Sequence, residues 1–142
     1  GKQEGEPEMK AFDKEEFLEK YWRAVLEQQA DELPYFFKED ACIRWHNTRE
    51  QFTVNEFIRA NCEYPGEWAG EVERLEKAGD LNIMAVHVHT KDDSLSFHVV
   101  SFIRMDGDKI GAVDEYWGDD GPVPEWRKEK EIGIRFPESS EE

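Results

Sequence analysis

Cysteine and basic residues are both scarce in this 142-residue sequence. The two cysteines, Cys42 and Cys62, form no C-x-x-C pair and lack zinc-type spacing, so we expect reduced thiols and no disulfide framework. Lys and Arg total 18 against 34 Asp and Glu, which gives a formal net charge of −16. A surface this acidic repels phosphate groups, so the composition excludes nucleic acid and anionic membrane surfaces as expected partners.

Long apolar runs and a recognisable export signal are also missing. The sequence therefore predicts a cytoplasmic protein without a membrane-spanning segment. Polar residues without hydrophobic periodicity occupy 1–11 and 137–142, which we predict to be disordered tails. The stretch between them, 12–136, has the length of one domain with a buried core, and an aromatic content of 13% supplies large side chains for that core.

Helix-start signals occur twice along the chain. A D-x-x-E capping box at 13–16 precedes an apolar stripe and predicts an amphipathic helix over about 13–29. A T-x-x-E box at 53–56 predicts a shorter helix that stops before a Pro-Gly pair. The segment "ADELPYFF" between them is predicted to form another short helix with proline in its first turn. Near the C-terminus, Pro122 and Pro124 predict an extension without regular helix.

The remaining segments have the pattern of β-strands. "ACIRWHN" is one, and four more follow in "EWAGEVERLEK", "LNIMAVHVHT", "LSFHVVSFIRM" and "KIGAVDEYW". Tight polar turns join the last four, which predicts an antiparallel meander and an α+β fold. Both faces of these strands carry apolar residues, whereas helices cover one face only. We therefore predict a homodimer in which a second copy covers the other face.

The stretch "MAVHVHT", residues 84–90, contains two histidines two positions apart. Side chains alternate along a strand, so His87 and His89 share one face with Ile83 and Ala85, while the intervening valines face the other way. A pair of imidazoles at the end of an apolar stripe is a candidate site for chemistry.

Three longer stretches, "WHNTREQFTVNEFIRANCEYPGEW", "SFHVVSFIRMDGDKI" and "DEYWGDDG", carry a family resemblance. They are similar to the nuclear transport factor 2-like superfamily and, within it, to SnoaL-like bacterial proteins without an assigned reaction. The resemblance covers about 12–130. It implies a cone-shaped, curved antiparallel sheet wrapped around a long N-terminal helix, with two short helices. It also implies that function resides in the pocket that the cone encloses.

The resemblance also implies which residues face inward. It places Glu115 inside the cone as a catalytic group, with His87 and His89 beside it on neighbouring strands. It further implies a set of ligand-binding residues, namely Trp22, Trp45, Asn47, Phe57, Asn61, Ser101 and Trp117. Together these residues predict a pocket for a small, largely apolar molecule.

Several roles remain open for these residues at this point. A histidine beside a carboxylate in a partly dry cavity can exchange protons near neutral pH, as an isomerase, cyclase or hydrolase requires. A purely structural role, or ligand binding without chemistry, fits the same residue types. Two histidines with a glutamate are also a ligand set for zinc, iron or nickel, but no third histidine is clearly placed, and we predict no metal and no cofactor. The competing interpretation is a non-catalytic homodimeric binding or scaffold module that uses the outer sheet face.

Overall fold

The computed structural model describes residues 11–137. Within them lie three α-helices, one 3-10 helix and six strands. In chain order these are α1 (Lys14–Leu26), the 3-10 helix (Leu33–Phe36), β1 (Phe37–Trp45), β2 (Glu50–Phe52), α2 (Val54–Cys62), β3 (Trp68–Ala78), β4 (Leu81–Thr90), β5 (Ser96–Asp106), β6 (Lys109–Asp119) and α3 (Glu125–Glu129). The predicted tails lie almost entirely outside the described residues.

Local capping chemistry starts both longer helices as predicted. The Asp13 carboxylate accepts the Glu16 backbone N–H at 3.2 Å, and the flanking rings of Phe12 and Phe17 pack with centroids 5.3 Å apart. At α2 the capping box is complete, because the Thr53 side chain and the Glu56 side chain each accept the other residue's backbone N–H.

The ends of the helices differ in part from the prediction. Helix α1 ends at Leu26, about one turn early, and Gln28 then adopts a left-handed conformation with φ of 53°. The prediction of no regular helix in the extension is wrong, because α3 begins directly after Pro124. Proline is tolerated at this position because the backbone N–H groups at the start of a helix have no acceptor within the helix, so the missing N–H of Pro124 costs no hydrogen bond.

All six strands form one curved, open sheet in the order β2-β1-β6-β5-β4-β3. The last four strands make the predicted antiparallel meander, and β4 spans the predicted residues. Strand β1 pairs with β6 in parallel, so the strands that come first and last along the chain are neighbours in the middle of the sheet. The α+β cone is therefore confirmed, with one parallel pairing added.

The concave face of the sheet packs against α1 and forms the core. Leu18, Tyr21, Trp22 and Val25 of α1 are buried against this face. The strands contribute alternate residues to it, among them Ile43, Met84, Val86, Val88, Val99, Ser101, Ile103, Val113 and Glu115. The predicted inward orientation of Ser101 and Glu115 is thus correct. The same alternation decides the orientation of the histidines of β4.

Candidate functional site

A cavity of about 380 Å³ lies between the C-terminal end of α1, helix α2 and the concave face of the sheet. Its walls are mostly apolar and aromatic side chains. The lining residues are Trp22, Val25, Leu26, Gln28, Trp45, Asn47, Thr48, Ala60, Asn61, Tyr64, Trp68, Val88, Phe97, Trp117 and Asp119. A concave, largely apolar space of this size with a few polar groups at its rim is typical of a small-molecule site.

Five aromatic rings form a continuous belt around this cavity. The Tyr64 ring stacks on Trp68 with centroids 5.4 Å apart, and Trp68 lies 6.0 Å from Phe97. Phe97 meets Trp117 edge-on at 6.1 Å, and Trp117 meets Trp45 at 6.5 Å. We call these five residues the aromatic belt. Because each ring packs on the next, the belt presents a preorganised aromatic wall.

Side-chain amides hold the walls of the cavity in place. The Asn47 amide oxygen accepts the Trp117 backbone N–H at 2.7 Å, and the Asn47 amide nitrogen donates to the Trp117 carbonyl. The Asn61 amide donates to the Val25 carbonyl, and Gln28 donates to the carbonyls of Asn61 and Tyr64. These bonds join β1 to β6 and α1 to α2, so both asparagines support the pocket.

Glu115 lies below the cavity and is 2% exposed. Ser101 donates to one carboxyl oxygen at 2.8 Å, and the Trp117 indole N–H donates to the other at 3.1 Å. Burial raises the pKa of Glu115 to about 7, and the hydrogen bonds of Ser101 and Trp117 oppose that rise. Glu115 is not among the lining residues of the cavity, whereas Trp45 and Trp117 are.

Three aromatic side chains carry buried donors without a hydrogen-bond partner in the described residues: Tyr21, Trp22 and Trp45. The Trp45 N–H lies close enough to Glu115 to lower its pKa, although it does not reach hydrogen-bond geometry. Burial and the nearby Glu115 charge raise the pKa of Tyr21. Sequence reasoning missed Tyr21, since a tyrosine on the apolar stripe of a helix is indistinguishable from an ordinary core residue.

The predicted convergence of the histidines on Glu115 is wrong. Val86 and Val88 face the core, so His87 and His89 point to the convex face, on the opposite side of the sheet from Glu115. The reason is hydrophobic: the alternate stripe of β4 consists of Asn82, Met84, Val86, Val88 and Thr90, and its large apolar members fill the cone. A stripe that ends in two imidazoles is the less favourable one to bury.

On the convex face the histidines meet carboxylates of neighbouring strands. The His87 Nδ1 lies 2.8 Å from a Glu71 oxygen, and its Nε2 lies 2.9 Å from the Ser96 hydroxyl. The His98 ring stacks on His87 with centroids 4.7 Å apart. Among the described residues, two groups bring histidine nitrogens and carboxylate oxygens, the atoms that could hold a metal ion, within 4.8 Å of one another. The first group is Glu71, His87 and His89, and the second is Glu73, His87 and His98.

The remaining predicted residues separate into two layers. Trp22, Trp45, Asn47, Asn61 and Trp117 line the cavity, whereas Phe57, Ser101 and Glu115 lie in the core beneath it. Their role in ligand binding stays a prediction. Sequence reasoning missed Tyr64, Trp68, Phe97 and Asp119 as lining residues. The parity of β5 and β6 would have identified Phe97 and Asp119, because they continue the inward series that includes Val99 and Trp117.

No protein-family model matches the chain, and no curated protein matches it in sequence. Solved structures do match. A protein from Kribbella flavida DSM 17836, provisionally named a ketosteroid isomerase, is 22% identical over 87% of this chain and 90% of its own, with a TM-score of 0.71. An NTF-2 like protein of unknown function from Burkholderia xenovorans LB400 is 19% identical over 87% and 94%, with a TM-score of 0.70.

A third similar structure, from Catenulispora acidiphila DSM 44928, has a ketosteroid isomerase-like fold and is in complex with trimethylamine. It is 14% identical over 71% of this chain and 84% of its own, with a TM-score of 0.60. Identities this low establish the fold alone. The chain thus has the nuclear transport factor 2-like fold. Within that fold it is similar to SnoaL-like structures, as the sequence predicted, and also to ketosteroid isomerase-like structures. No helix in 11–137 has the length and apolar character that crossing a membrane requires.

Proposed function

We propose that the protein binds a small, largely apolar organic cation, such as a tertiary or quaternary ammonium compound, in the cavity bounded by the aromatic belt. The observation that carries the proposal is the composition of the wall: Asp119 is the one charged side chain among the lining residues, and all five rings of the aromatic belt line the same cavity. Aromatic faces attract a positive charge through the ring quadrupole, most strongly where water is excluded.

Two further features support an organic cation as the ligand. The formal net charge of −16 produces a negative field that raises the local concentration of cations at the rim. The similar structure from Catenulispora acidiphila contains trimethylamine, a compound of this chemical class. An inorganic cation fits this wall poorly, since Asp119 is exposed at the rim and the rest of the lining is mainly hydrocarbon.

A pair of isosteric ligands tests the proposal. Calorimetric titration with choline and with 3,3-dimethylbutan-1-ol compares a quaternary nitrogen with a neutral carbon of the same shape. We expect choline to bind at least about tenfold more tightly, because a desolvated cation–π contact contributes about 2 kcal/mol. Asp119→Asn should reduce this preference, while Asp108→Asn, an exposed aspartate in the β5–β6 turn, should leave it unchanged. Equal affinity for both ligands would exclude charge recognition, and no binding of either would exclude the pocket as a site for such molecules.

Glu115 is the proposed acid–base group of the site if the bound molecule also reacts. Its pKa of about 7 is suited to proton transfer at neutral pH, and its carboxyl group is hydrogen-bonded to Trp117, whose side chain lines the cavity. Mass spectrometry of molecules that co-purify with the wild type and with Glu115→Gln tests this role. A substrate that accumulates unconverted in the variant supports it, whereas identical bound species in both proteins contradict it.

A homodimer remains part of the proposal, with a non-catalytic binding or scaffold role as the second candidate function. The convex face carries an apolar patch outside the core, formed by Ile83, Ala85, Val100, Phe102 and Tyr116. Val100 and Tyr116 are 38% and 48% exposed. We propose a second copy of the chain as the occupant of this convex apolar patch, and a cytoplasmic location for the dimer.

A further inference from the structure

The convex face holds a second cluster of functional groups, independent of the cavity and its ligand. Glu71 of β3 lies opposite His87 of β4, and His89 follows two residues later on the same face. One Glu71 oxygen is 2.8 Å from the His87 Nδ1, and its other oxygen is 3.9 Å from the His89 Nε2. Two imidazole nitrogens therefore converge on both oxygens of a single carboxylate.

Hydrogen bonds fix which nitrogen of His87 carries the proton. The Ser96 hydroxyl donates to Asp120 at 2.6 Å, and a hydroxyl has only one proton to donate. The Ser96 oxygen must then accept at its 2.9 Å contact with the His87 Nε2, so that nitrogen bears hydrogen. In neutral His87 the lone pair consequently resides on Nδ1, the atom that faces Glu71.

The same argument applies to His89 with different partners. Its Nδ1 lies 2.9 Å from the Thr90 carbonyl and 3.3 Å from an Asp93 carboxylate oxygen, and both of these groups only accept. Nδ1 therefore carries the proton, and the lone pair of neutral His89 resides on Nε2, which also faces Glu71. With both histidines neutral, two lone pairs and a carboxylate point at one another with no donor between them, so a cation, either a metal ion or a further proton, completes the cluster.

We propose that Glu71, His87 and His89 bind one divalent transition-metal ion, with zinc as the reference case. Imidazole and carboxylate ligands suit zinc, and a fourth position remains for water. The Ser96 and Thr90 contacts are the outer hydrogen bonds that ordinarily orient metal-binding histidines. The sequence had predicted no metal, because no third histidine was clearly placed beside this pair.

The ligand atoms lie within 4.8 Å of one another, whereas tetrahedral zinc requires spacings of about 3.3 Å. Glu71, whose side chain is 58% exposed, can shorten its own distances to the two histidines, whose side chains are 22% and 21% exposed. Nearby Glu73 and Asp120 add negative charge that attracts a divalent ion.

Zinc titration of the full chain, stripped with chelator, tests the assignment. We expect one equivalent to bind, and we expect His87→Gln, His89→Gln and Glu71→Gln each to weaken binding by more than about tenfold. His46→Gln is the matched control. His46 is a half-exposed histidine paired with Asp114 at 2.7 Å, outside the cluster, and its loss should leave zinc affinity unchanged. Circular dichroism verifies that each variant is folded.

Three results would overturn the assignment. Wild-type chain that binds no zinc rejects the site. Equal weakening by His46→Gln would show adventitious binding to surface histidines only. Loss of binding in His98→Gln together with full binding in His89→Gln would assign the ion to Glu73, His87 and His98 instead. Cobalt(II) added to the wild type gives a measurement that needs no variant, since its visible spectrum reports imidazole ligation. None of these outcomes bears on choline binding in the cavity.

Discussion

The Glu115 carboxyl group occupies a position that water does not reach, with both oxygens held by donors from Ser101 and Trp117. Burial nevertheless dominates and raises its pKa from an ordinary 4.5 to about 7. The native state therefore binds more protons than the unfolded state between these two pH values. The contribution of Glu115 to the free energy of unfolding is therefore fully present below about pH 4.5, and it is lost as the pH rises to about 7.

Glu115→Gln should remove this pH dependence. Between pH 5 and pH 8, the wild type should lose about 2 kcal/mol of unfolding free energy that the variant retains. Urea denaturation at both pH values measures the difference. Glu39→Gln, on the exposed part of β1, is the control and should behave as the wild type. A variant whose stability falls with pH as steeply as the wild type's would show that Glu115 is not the titrating group.

Helix α2 illustrates which elements are encoded locally. Its capping box is formed within four residues, so the sequence alone predicted both the start of the helix and the bonds at its N-terminus. This start positions Ala60 and Asn61 at the wall of the cavity. Local chemistry of this kind explains why the starts of α1 and α2 were predicted correctly, although the end of α1 and the presence of α3 were not.

Thr53→Ala should lower the unfolding free energy by about 1 kcal/mol, because the N–H of Glu56 loses its acceptor. Thr53→Ser keeps the hydroxyl and should lie within a few tenths of a kcal/mol of the wild type. Urea denaturation at neutral pH compares the three proteins. Equal stability of the serine and alanine variants would mean that the cap does not support α2.

The orientation of β4 could not be predicted from local chemistry. Moving a strand by one residue exchanges its two faces, and both faces of β4 carry apolar residues. The resemblance assigned His87 and His89 to the concave side, although the larger side chains of Met84, Val86 and Val88 fill the cone better. The resemblance correctly placed Trp45 of β1 and Glu115 and Trp117 of β6 on the concave side. Tyr64 lies within the connection between α2 and β3, and Trp68 directly follows it, so their positions depend on tertiary packing.

At the level of the whole molecule, the net charge opposes association of two copies, whereas the convex apolar patch favours it. Each chain has a formal charge of −16, so two copies repel one another across any shared face. Burial of Val100 and Tyr116 by a partner would offset that repulsion. Association should therefore depend on ionic strength, since salt screens the repulsion over about 8–10 Å at physiological concentrations.

Sedimentation velocity at tens of micromolar protein should show a dimer whose fraction increases from low to moderate salt. Val100→Glu should give a monomer, because it places charge within the convex apolar patch. Ile134→Glu should leave the dimer intact, since Ile134 is 95% exposed in the C-terminal extension. A wild-type monomer at every salt concentration would contradict the proposed role of the convex face.

The parallel pairing of β1 with β6 has a consequence for synthesis of the chain on the ribosome. Strands β1 and β2 join the rest of the sheet only through β6, which spans Lys109–Asp119. A nascent chain that has emerged only through β5 can form the hairpin ladder of β3, β4 and β5, but it leaves the first two strands without their neighbour. The final architecture of the sheet must therefore wait until β6 has left the exit tunnel.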